Sequence, residues 1–549
     1  MALSRRTLIL GGAAAGAATA AAARPRAAIA APYRGPLRSD PFTLGVASGD
    51  PEPDGFVIWT RLAVDPLDED GLGGMPSRHV AVDWEVARHE RFRRVIARGR
   101  SSARAQSGYA VHVVLRDLEP AREYFYRFRA EGYLSRTGRT RTAPQPWANV
   151  STLAMSFASC SQFEHGYFTA YRHLAADEPD LVLYLGDYQY EYAAGQYTIP
   201  GGNPRDHEGP ETVTLANYRQ RYAQYKADAD LQAAHAVAPW VAVFDDHEVE
   251  NNWADEVPER PDPNFLARRA AAFQAYYENL PLRRSSVPRG IDMQLYRRIR
   301  WGRLATFHML DTRQYRDDQG CGDGYKDCPA ALDPARSITG AEQEKWLLDG
   351  FRRSSARWDV LGQQVFFGQR DSNSGPQRVV SMDAWDGYAA SRDRITRGWV
   401  DADVRNPVVL TGDVHSHWAD ELKLDYADPT SPTVGAELVC SSITSTGDGA
   451  DVAGGQHPWA AWNPHLRFYN NQRGYVRTTV TPEAMTADFQ VVPYVTRPGA
   501  PVHTRATFVV GDRVPGLHQT ADNPTPGPVS TLSAGDLGAA TVHQETVRP

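Results

Sequence analysis

The apolar positions change their spacing along the chain. Between residues 42 and 145 they come in short runs or at a period of two. Phe56-Val57-Ile58-Trp59 is one run; Val82, Trp84 and Val86 alternate with other residues, and so do Tyr124, Tyr126 and Phe128 after Leu118-Glu119-Pro120. Alternation places one side of a segment in a core and the other in water, so these read as β-strands. After a Pro-Trp-Ala-Asn linker at 146–150 the pattern turns to strand–helix alternation. Ala154-Met155-Ser156-Phe157-Ala158, Leu181-Val182-Leu183-Tyr184-Leu185, Val241-Ala242-Val243-Phe244, Leu304-Ala305-Thr306-Phe307 and Val408-Val409-Leu410 are continuous apolar runs, as expected of strands covered on both faces. Helical patterns run from Tyr167 to Ala176, Leu215 to Ala234, Phe265 to Asn279 and Glu342 to Phe351. Thr339, three residues before Glu342, predicts an N-cap with a capping box. No internal repeat is seen.

Several short strands within about 100 residues predict an N-terminal all-β, fibronectin/Ig-like sandwich over 42–145; the alternative is an extra edge layer on the main domain. Residues 151–510 predict an α/β (α+β layered) domain with mixed sheets. The Pro-, Gly- and Thr-rich stretch 511–549 predicts an irregular tail. Composition agrees: 549 residues, 42% hydrophobic and 23% charged, supply a large core and exclude a wholly disordered chain. A formal charge of −7 with no long basic run argues against a stable nucleic-acid complex.

The first 30 residues change the picture. Arg5-Arg6 precede a weakly apolar run from Leu8 to Ala23, and Ala28-Ile29-Ala30 has the small-x-small form of a cleavage site. This resembles a twin-arginine signal peptide, which implies the twin-arginine export machinery as a partner and a secreted product. A membrane anchor is disfavoured, since an Ala- and Gly-rich run of this length is too short and too weak to span, and no other stretch predicts an integral membrane span. Removing residues 1–30 takes four arginines and no acid, moving the formal charge from −7 to −11. That route carries folded proteins, which favours a metalloenzyme over a protein needing several disulfides. Of the four cysteines, Cys321 and Cys328 bracket a Gly- and Asp-rich loop and predict a disulfide, with a metal-binding or free pair as the alternative. Cys440, in an apolar run, predicts an inert buried thiol. Cys160 is left over.

Four strand runs end in polar clusters: Ser159-Cys160-Ser161, Gly186-Asp187-Tyr188-Gln189-Tyr190, Asp245-Asp246-His247-Glu248, and Thr411-Gly412-Asp413-Val414-His415-Ser416-His417. In open α/β sheets ligands sit beyond the carboxyl ends of strands. Each cluster alone has a plain alternative: a turn, an N-cap, a surface His-x-His, a core thiol. Three carboxylates and an imidazole directly after a buried strand are harder to explain without cations, and the conjunction of four clusters predicts a metal centre.

These clusters, in this order, resemble the binuclear metallophosphoesterases. Longer blocks resemble PhoD-type alkaline phosphatases: Val46-Ala47-Ser48-Gly49-Asp50-Pro51, Ala158-Ser159-Cys160-Ser161, Asp245 through Trp253, Leu310-Asp311-Thr312-Arg313, Trp385-Asp386-Gly387-Tyr388, Thr411 through His415, and Asn470 through Tyr475. The resemblance covers about residues 42 to 490. It implies a sandwich-plus-catalytic layout similar to purple acid phosphatases, with Fe(III) and Ca2+ as cofactors. Carried over by motif, Cys160, Asp187, Tyr190 and His415 would hold iron. Asp187 would bridge to calcium, with Asp246 and Asp413 on the calcium side, and Glu248, Asn251 or Asn252 would serve a further calcium. The chemistry agrees independently: phenolate and thiolate suit Fe(III), and aspartates without imidazole suit Ca2+. Where the wider superfamily has Asp-x-His, Gly-Asn-His-Glu and Gly-His-x-His, this chain has Cys160, Asp-Asp-His-Glu and Gly-Asp-x-His, each change moving the second site from zinc towards calcium.

The implied reaction is hydrolysis of phosphate monoesters or diesters by a metal-bound hydroxide, with cations absorbing charge on the phosphoryl group. His247 is the candidate to contact phosphate or protonate the leaving group, or else to orient Asp246. Arg313 and Arg392 are candidates for a phosphate clamp, or for structural salt bridges. His417 reads as surface or supporting rather than as a ligand. The substrate would be a small phosphate ester, a nucleotide or a phospholipid; some members of the family are phospholipase D-type, and the loop Tyr188 to Tyr197 offers tyrosines for such an entry or for ordinary packing. The competing readings are a calcium-binding adhesion protein without hydrolysis, a zinc hydrolase on His415 and His417, and a Cys160 nucleophile. There is no Gly-x-Ser-x-Gly elbow.

Overall fold

The structure, a computed structural model, describes residues 36–525 and 529–530. The expected signal at 1–30 and most of the expected tail lie outside the described residues. Two sheets pack face to face, and each has a parallel centre with antiparallel flanks. The ten-stranded sheet runs in the order Val514–Asp522, His503–Gly511, Ala484–Val492, Arg473–Val480, Leu153–Ala158, Leu181–Leu185, Pro239–Val243, Val46–Glu52, Gly55–Arg61, Ala110–Val114. Its four parallel strands are Leu153–Ala158, Leu181–Leu185, Pro239–Val243 and Val46–Glu52. The seven-stranded sheet runs Arg297–Trp301, Ala305–Met309, Trp358–Gly362, Pro407–Thr411, Thr433–Val439, His417–Lys423, Leu466–Asn470.

Period two decides which layer each side chain joins. In the seven-stranded sheet Val360, Val408, Leu410 and Leu438 enter the core between the sheets, with Leu183 and Val243 opposite. Their neighbours Leu361, Val409 and Val439 face outwards onto Leu347 and Phe351 of the helix Gly340–Arg353 and Ile395 and Trp399 of Ala389–Asp401. The helices Thr169–Ala176, Leu215–Lys226, Ala229–Val237 and Phe265–Asn279 contribute to the core of the ten-stranded sheet. This is a mixed-sheet, layered α/β fold with the parallel strand ends of both sheets brought close together.

The 42–145 segment is all β apart from one short 3-10 turn, Ala105–Ser107. It does pack two sheets, but one is not its own. Val80–Ala87, Val95–Ala103, Glu123–Ala130, Tyr133–Leu134 and Gly138–Arg141 form a separate five-stranded sheet. Val46–Glu52, Gly55–Arg61 and Ala110–Val114 instead complete the main sheet through a parallel pairing of Ser48 with Pro239 and Gly49 with Trp240. Alternation shows a strand's two faces but not which strand lies beside it, so a boundary between the units is not legible in the pattern.

Three other expectations are corrected. The tail does not begin at 511: Val514–Asp522 pairs with His503–Gly511 as the edge strand of the main sheet. Only Leu517 of that strand is buried, so its apolar signal is weak and its backbone pairing carries it. The helix expected over 215–234 breaks at Asp228, whose carboxylate accepts from the amides of Asp230 and Leu231 and starts a second helix. Thr339 precedes Gly340–Arg353 but makes no side-chain cap.

Candidate metal centre

The four polar clusters meet because their strands are neighbours across the two layers. Leu153–Ala158, Leu181–Leu185 and Pro239–Val243 deliver Cys160, Asp187 and Asp245-Asp246-His247 from one sheet; Pro407–Thr411 delivers Asp413 and His415 from the other. The loops interlock tightly. A Cβ on Gly186 would lie 2.4 Å from the Asp245 Cβ, and one on Gly412 would lie 2.7 Å from the Ser159 side chain. The backbone is strained where the chemistry is: Cys160, Asp187, Asp413 and His415 have φ of 62°, 57°, 64° and 50°. Non-glycine residues adopt this left-handed conformation at a cost, and it recurs at functional sites.

Three groups of donor atoms lie within 4.8 Å of one another: Cys160, Asp187 and His415; Asp187, Asp246 and His247; Asp245, Asp246 and Asp413. Tyr190 joins the first group. Its phenol lies 2.8 Å from Asp187 Oδ2 and 3.1 Å from His415 Nε2, and accepts from Ser445 Oγ at 2.7 Å. Cys160, Asp187, Tyr190, Asp246, Asp413 and His415 are thus brought together as the motifs require. Asp187 Oδ1, Asp245 Oδ2 and Asp246 Oδ1 are buried with no hydrogen-bond partner. An orphaned buried carboxylate oxygen is costly, and three facing the same space fit cations.

The electrostatics point the same way. Burial, partly opposed by His247 and reinforced by Asp246 and Asp245, pushes Asp187 well above the carboxylate range. Burial lifts Asp245 to about 7 against the pull of Arg313, and lifts Asp413 with help from Asp245 and Asp383. The Cys160 thiol and Tyr190 phenol are raised by burial and then by Asp187. Burial, then Arg473, keeps His415 neutral. Burial thus favours the protonated forms of Asp187, Asp245, Asp413, Cys160 and Tyr190, and a cation would compete with those protons. Asp246 differs: against its burial, His247 and Arg313 hold it below the usual carboxylate value. His247 differs too. Burial opposes its charge, but Asp246, Glu191 and Asp187 hold it protonated well above the ordinary imidazole value.

His247 Nδ1 lies 2.8 Å from Glu191 Oε2, and its ring lies against that of Tyr190, tilted by 30° with centroids 4.1 Å apart. Its Nε2 lies 3.9 Å from Asp246 Oδ2. Arg313 is at the centre but fully engaged: Nε donates to Asp245 at 2.6 Å, and both terminal nitrogens donate to Asp383 at 2.9 and 2.8 Å. It positions carboxylates and has no free fork for two phosphoryl oxygens, contrary to the clamp expectation. Arg392 is also removed from that role; it is buried against Asp386, the Phe367 carbonyl and the Tyr426 ring. Glu248 is not placed as a cation ligand, because its carboxylate accepts from the amides of Asp187, Tyr188 and Asp245. Asn251 donates to Glu259, and Asn252 to Asp323 and, through its amide, to Asp246. His417 is fully buried rather than on the surface, with Nδ1 accepting from the Ser441 amide. Tyr188 and Tyr190 are wholly buried and Tyr192 is 4% exposed, so of the loop tyrosines Tyr197 keeps most access. Cys321 and Cys328 form a disulfide, and Cys160 and Cys440 are buried free thiols.

The sequence reading missed Glu191, Asp383, Ser445, Thr446 and Arg473. Glu191 had a signal, lying in the acidic-aromatic run Tyr190-Glu191-Tyr192; Asp383 and Thr446 had none, since their partners are remote in the chain.

Strand ends of two packed sheets thus converge on one donor-rich cluster, the arrangement of a candidate metal centre. Residues 153–489 match the family described as PhoD-like phosphatase, and residues 27–144 match PhoD-like phosphatase, N-terminal domain. The chain is 49% identical over 494 residues to alkaline phosphatase D of Bacillus subtilis (strain 168), covering 89% of this chain and 84% of that protein. It matches a solved structure of PhoD with a TM-score of 0.88 and 48% identity, covering 93% of this chain and 98% of that one. The chain belongs to the PhoD-like phosphatase family and is a phosphoric ester hydrolase of the PhoD type. Among the described residues no helix is long and apolar enough to cross a membrane.

Proposed function

We propose that this chain is a secreted, metal-dependent phosphoesterase acting on phosphate monoesters or diesters at an Fe(III)/Ca2+ centre. The observation that carries this is the convergence of a thiol, a phenol and an imidazole with carboxylates whose buried oxygens are orphaned. Cys160, Tyr190, His415 and Asp187 would hold the ferric ion; Asp187, Asp246 and Asp413, which offer only oxygen, would hold calcium. When bound, such cations lower the pKa of water and neutralise charge on the phosphoryl oxygens.

The chain's own residues supply the rest. Glu191 fixes His247 with its Nε2 side towards the cluster, where a protonated imidazole would meet the phosphoryl or leaving-group oxygen of a bound substrate. Arg313 bridges Asp245 and Asp383 and offsets the repulsion between their carboxylates. Arg5-Arg6 and the Ala28-Ile29-Ala30 site support export through the twin-arginine machinery.

The test combines an assay with a spectrum. Aryl phosphate monoester, aryl phosphodiester and phosphatidylcholine are compared in calcium buffer with and without chelator. Hydrolysis of an aryl ester that chelation abolishes and calcium restores is expected, with a visible tyrosinate-to-iron band that weakens in Tyr190→Phe. An active, colourless protein with stoichiometric zinc would overturn the metal assignment, and cleavage of phosphatidylcholine alone would make it a phospholipase.

A further inference from the structure

The turn that follows the strand Thr433–Val439 reads Cys440-Ser441-Ser442-Ile443-Thr444-Ser445-Thr446-Gly447, with nothing in its composition to mark it as more than a polar loop. In the fold it closes against the cluster and is pinned there. The Ile443 amide donates to the carbonyls of Ser159 and Cys160 at 3.0 and 3.1 Å, and Arg473 Nη1 donates to the Ser445 carbonyl at 2.9 Å and the Ser442 hydroxyl at 3.0 Å. Inside this pinned turn Thr446 has φ of 75°. A β-branched residue is a genuine outlier there, so something must hold it, and some property of its side chain must be worth keeping.

Both are visible. The Thr446 amide donates to His165 Nδ1 at 2.9 Å. That bond requires a lone pair on Nδ1, so the His165 proton is on Nε2, which lies 3.2 Å from the Tyr197 carbonyl. His165 is buried, its ring set edge-on to Tyr197 with centroids 4.4 Å apart. Its two ring nitrogens are thereby used, and it holds the turn without reaching the cluster. The Thr446 hydroxyl then lies 2.9 Å from His415 Nδ1, while His415 Nε2 faces the Tyr190 phenol at 3.1 Å. Glycine would accept the backbone but carries no hydroxyl, and valine carries the shape but no acceptor, so neither could supply the bond that Thr446 makes.

We propose that Thr446, held by His165, is a positioning residue for His415. Its hydroxyl accepts the Nδ1 proton, which fixes the ring's tautomer and aim and leaves the Nε2 lone pair free for a cation. This rests on the reading of the cluster as a metal centre.

The test compares Thr446→Val, Thr446→Ser and Thr446→Gly with the parent. Bound metal per chain is measured after dialysis against graded chelator, and the melting temperature is measured on the metal-stripped proteins. Thr446→Val is expected to lose metal at roughly 10–100-fold lower chelator strength, the usual cost of removing a hydrogen bond behind a ligand. Thr446→Ser should stay within about threefold of the parent. Thr446→Gly should lose metal as Thr446→Val does, while its stripped form melts no lower than the parent, because glycine adopts this φ freely. Metal retention by Thr446→Val, loss by Thr446→Ser equal to that of Thr446→Val, or metal loss that merely follows falling stability would each overturn the proposal. Metal-free parent protein would instead overturn the metal-centre reading. Crystal structures of Thr446→Val and Thr446→Ser decide the positioning role in that event: an unturned His415 ring in Thr446→Val refutes it, and a ring that turns only there upholds it.

Discussion

Two places in this molecule bury acidic side chains side by side, and they behave differently. The first is the cluster of Asp187, Asp245, Asp246 and Asp413. The second is Asp420 and Glu437, directly opposite each other on the strands His417–Lys423 and Thr433–Val439. Both are fully buried. Glu437 accepts from the amides of Phe367 and Gly368 and from the Thr411 hydroxyl, whereas both oxygens of Asp420 have no hydrogen-bond partner. Burial raises both groups, Asp420 further because it faces Glu437. A single proton between two carboxyls settles that pair. The first cluster stands on strained loop residues, mixes sulfur, phenol and imidazole with its carboxylates, and opens to solvent at the half-buried Asp413. Buried acid is therefore not in itself the mark of a cation site; donor variety and an entrance are.

The sharpest way to break this comparison is to neutralise one acid in each place. Asp187→Asn is expected to lower kcat/KM for an aryl phosphate by ~1000-fold or more, since it removes a donor shared by two groups, while Asp420→Asn stays within about threefold. Equal losses would show that the pair belongs to the chemistry. The second contrast uses the two buried thiols, 160 and 440. Cys160→Ser should cost roughly 10–100-fold in metal retention, and Cys440→Ser should leave it unchanged, both read by metal analysis after chelator dialysis. The smallest effect concerns pH. The folded Asp420 carboxyl titrates above its unfolded value of about 3.9. Protonated Asp420 therefore contributes its stability fully below that value and loses it as pH rises through the raised one. Asp420→Asn should flatten the fall in thermal stability that sets in as pH rises above the ordinary carboxylate value of about 3.9; an unchanged slope would place the titration elsewhere.

Much of this was legible in the chain because parallel strands buried on both faces leave long apolar runs, and the residues that follow such runs are where chemistry collects. The clusters that hold Cys160, Asp187, Tyr190, Asp246, Asp413 and His415 are legible that way, and the choice of these residues within them comes from the resemblance to PhoD-type phosphatases. What stayed hidden depends on tertiary distance. Glu191 meets His247 across 56 residues and Arg313 meets Asp383 across 70, and no local pattern announces either pairing. Of the two roles open to Arg313 and Arg392 the structure shows the salt bridge rather than the clamp, and the sequence could not choose, since a guanidinium looks available until its carboxylates are located. The strand Trp358–Gly362 escaped notice because its run carries Asp359, whose charge is answered by His308 on the neighbouring strand.

The shared ten-stranded sheet has a consequence for how the molecule comes to exist. Its three central strands from the 153–243 region are flanked on one side by residues 46–114 and on the other by residues 473–522. Both extremes of the described chain thus close onto the same three strands. Pairings this remote in sequence form slowly, because loop closure precedes any gain from contact. Assembly cannot be completed by a growing chain whose last hundred residues have yet to be made. Trimming the first hundred would not release a smaller enzyme either, since it would bare the edge of Pro239–Val243, the strand from which Asp245, Asp246 and His247 emerge. The loops of the cluster therefore depend on strands drawn from both ends of the described residues, and neither end can be moved without the other.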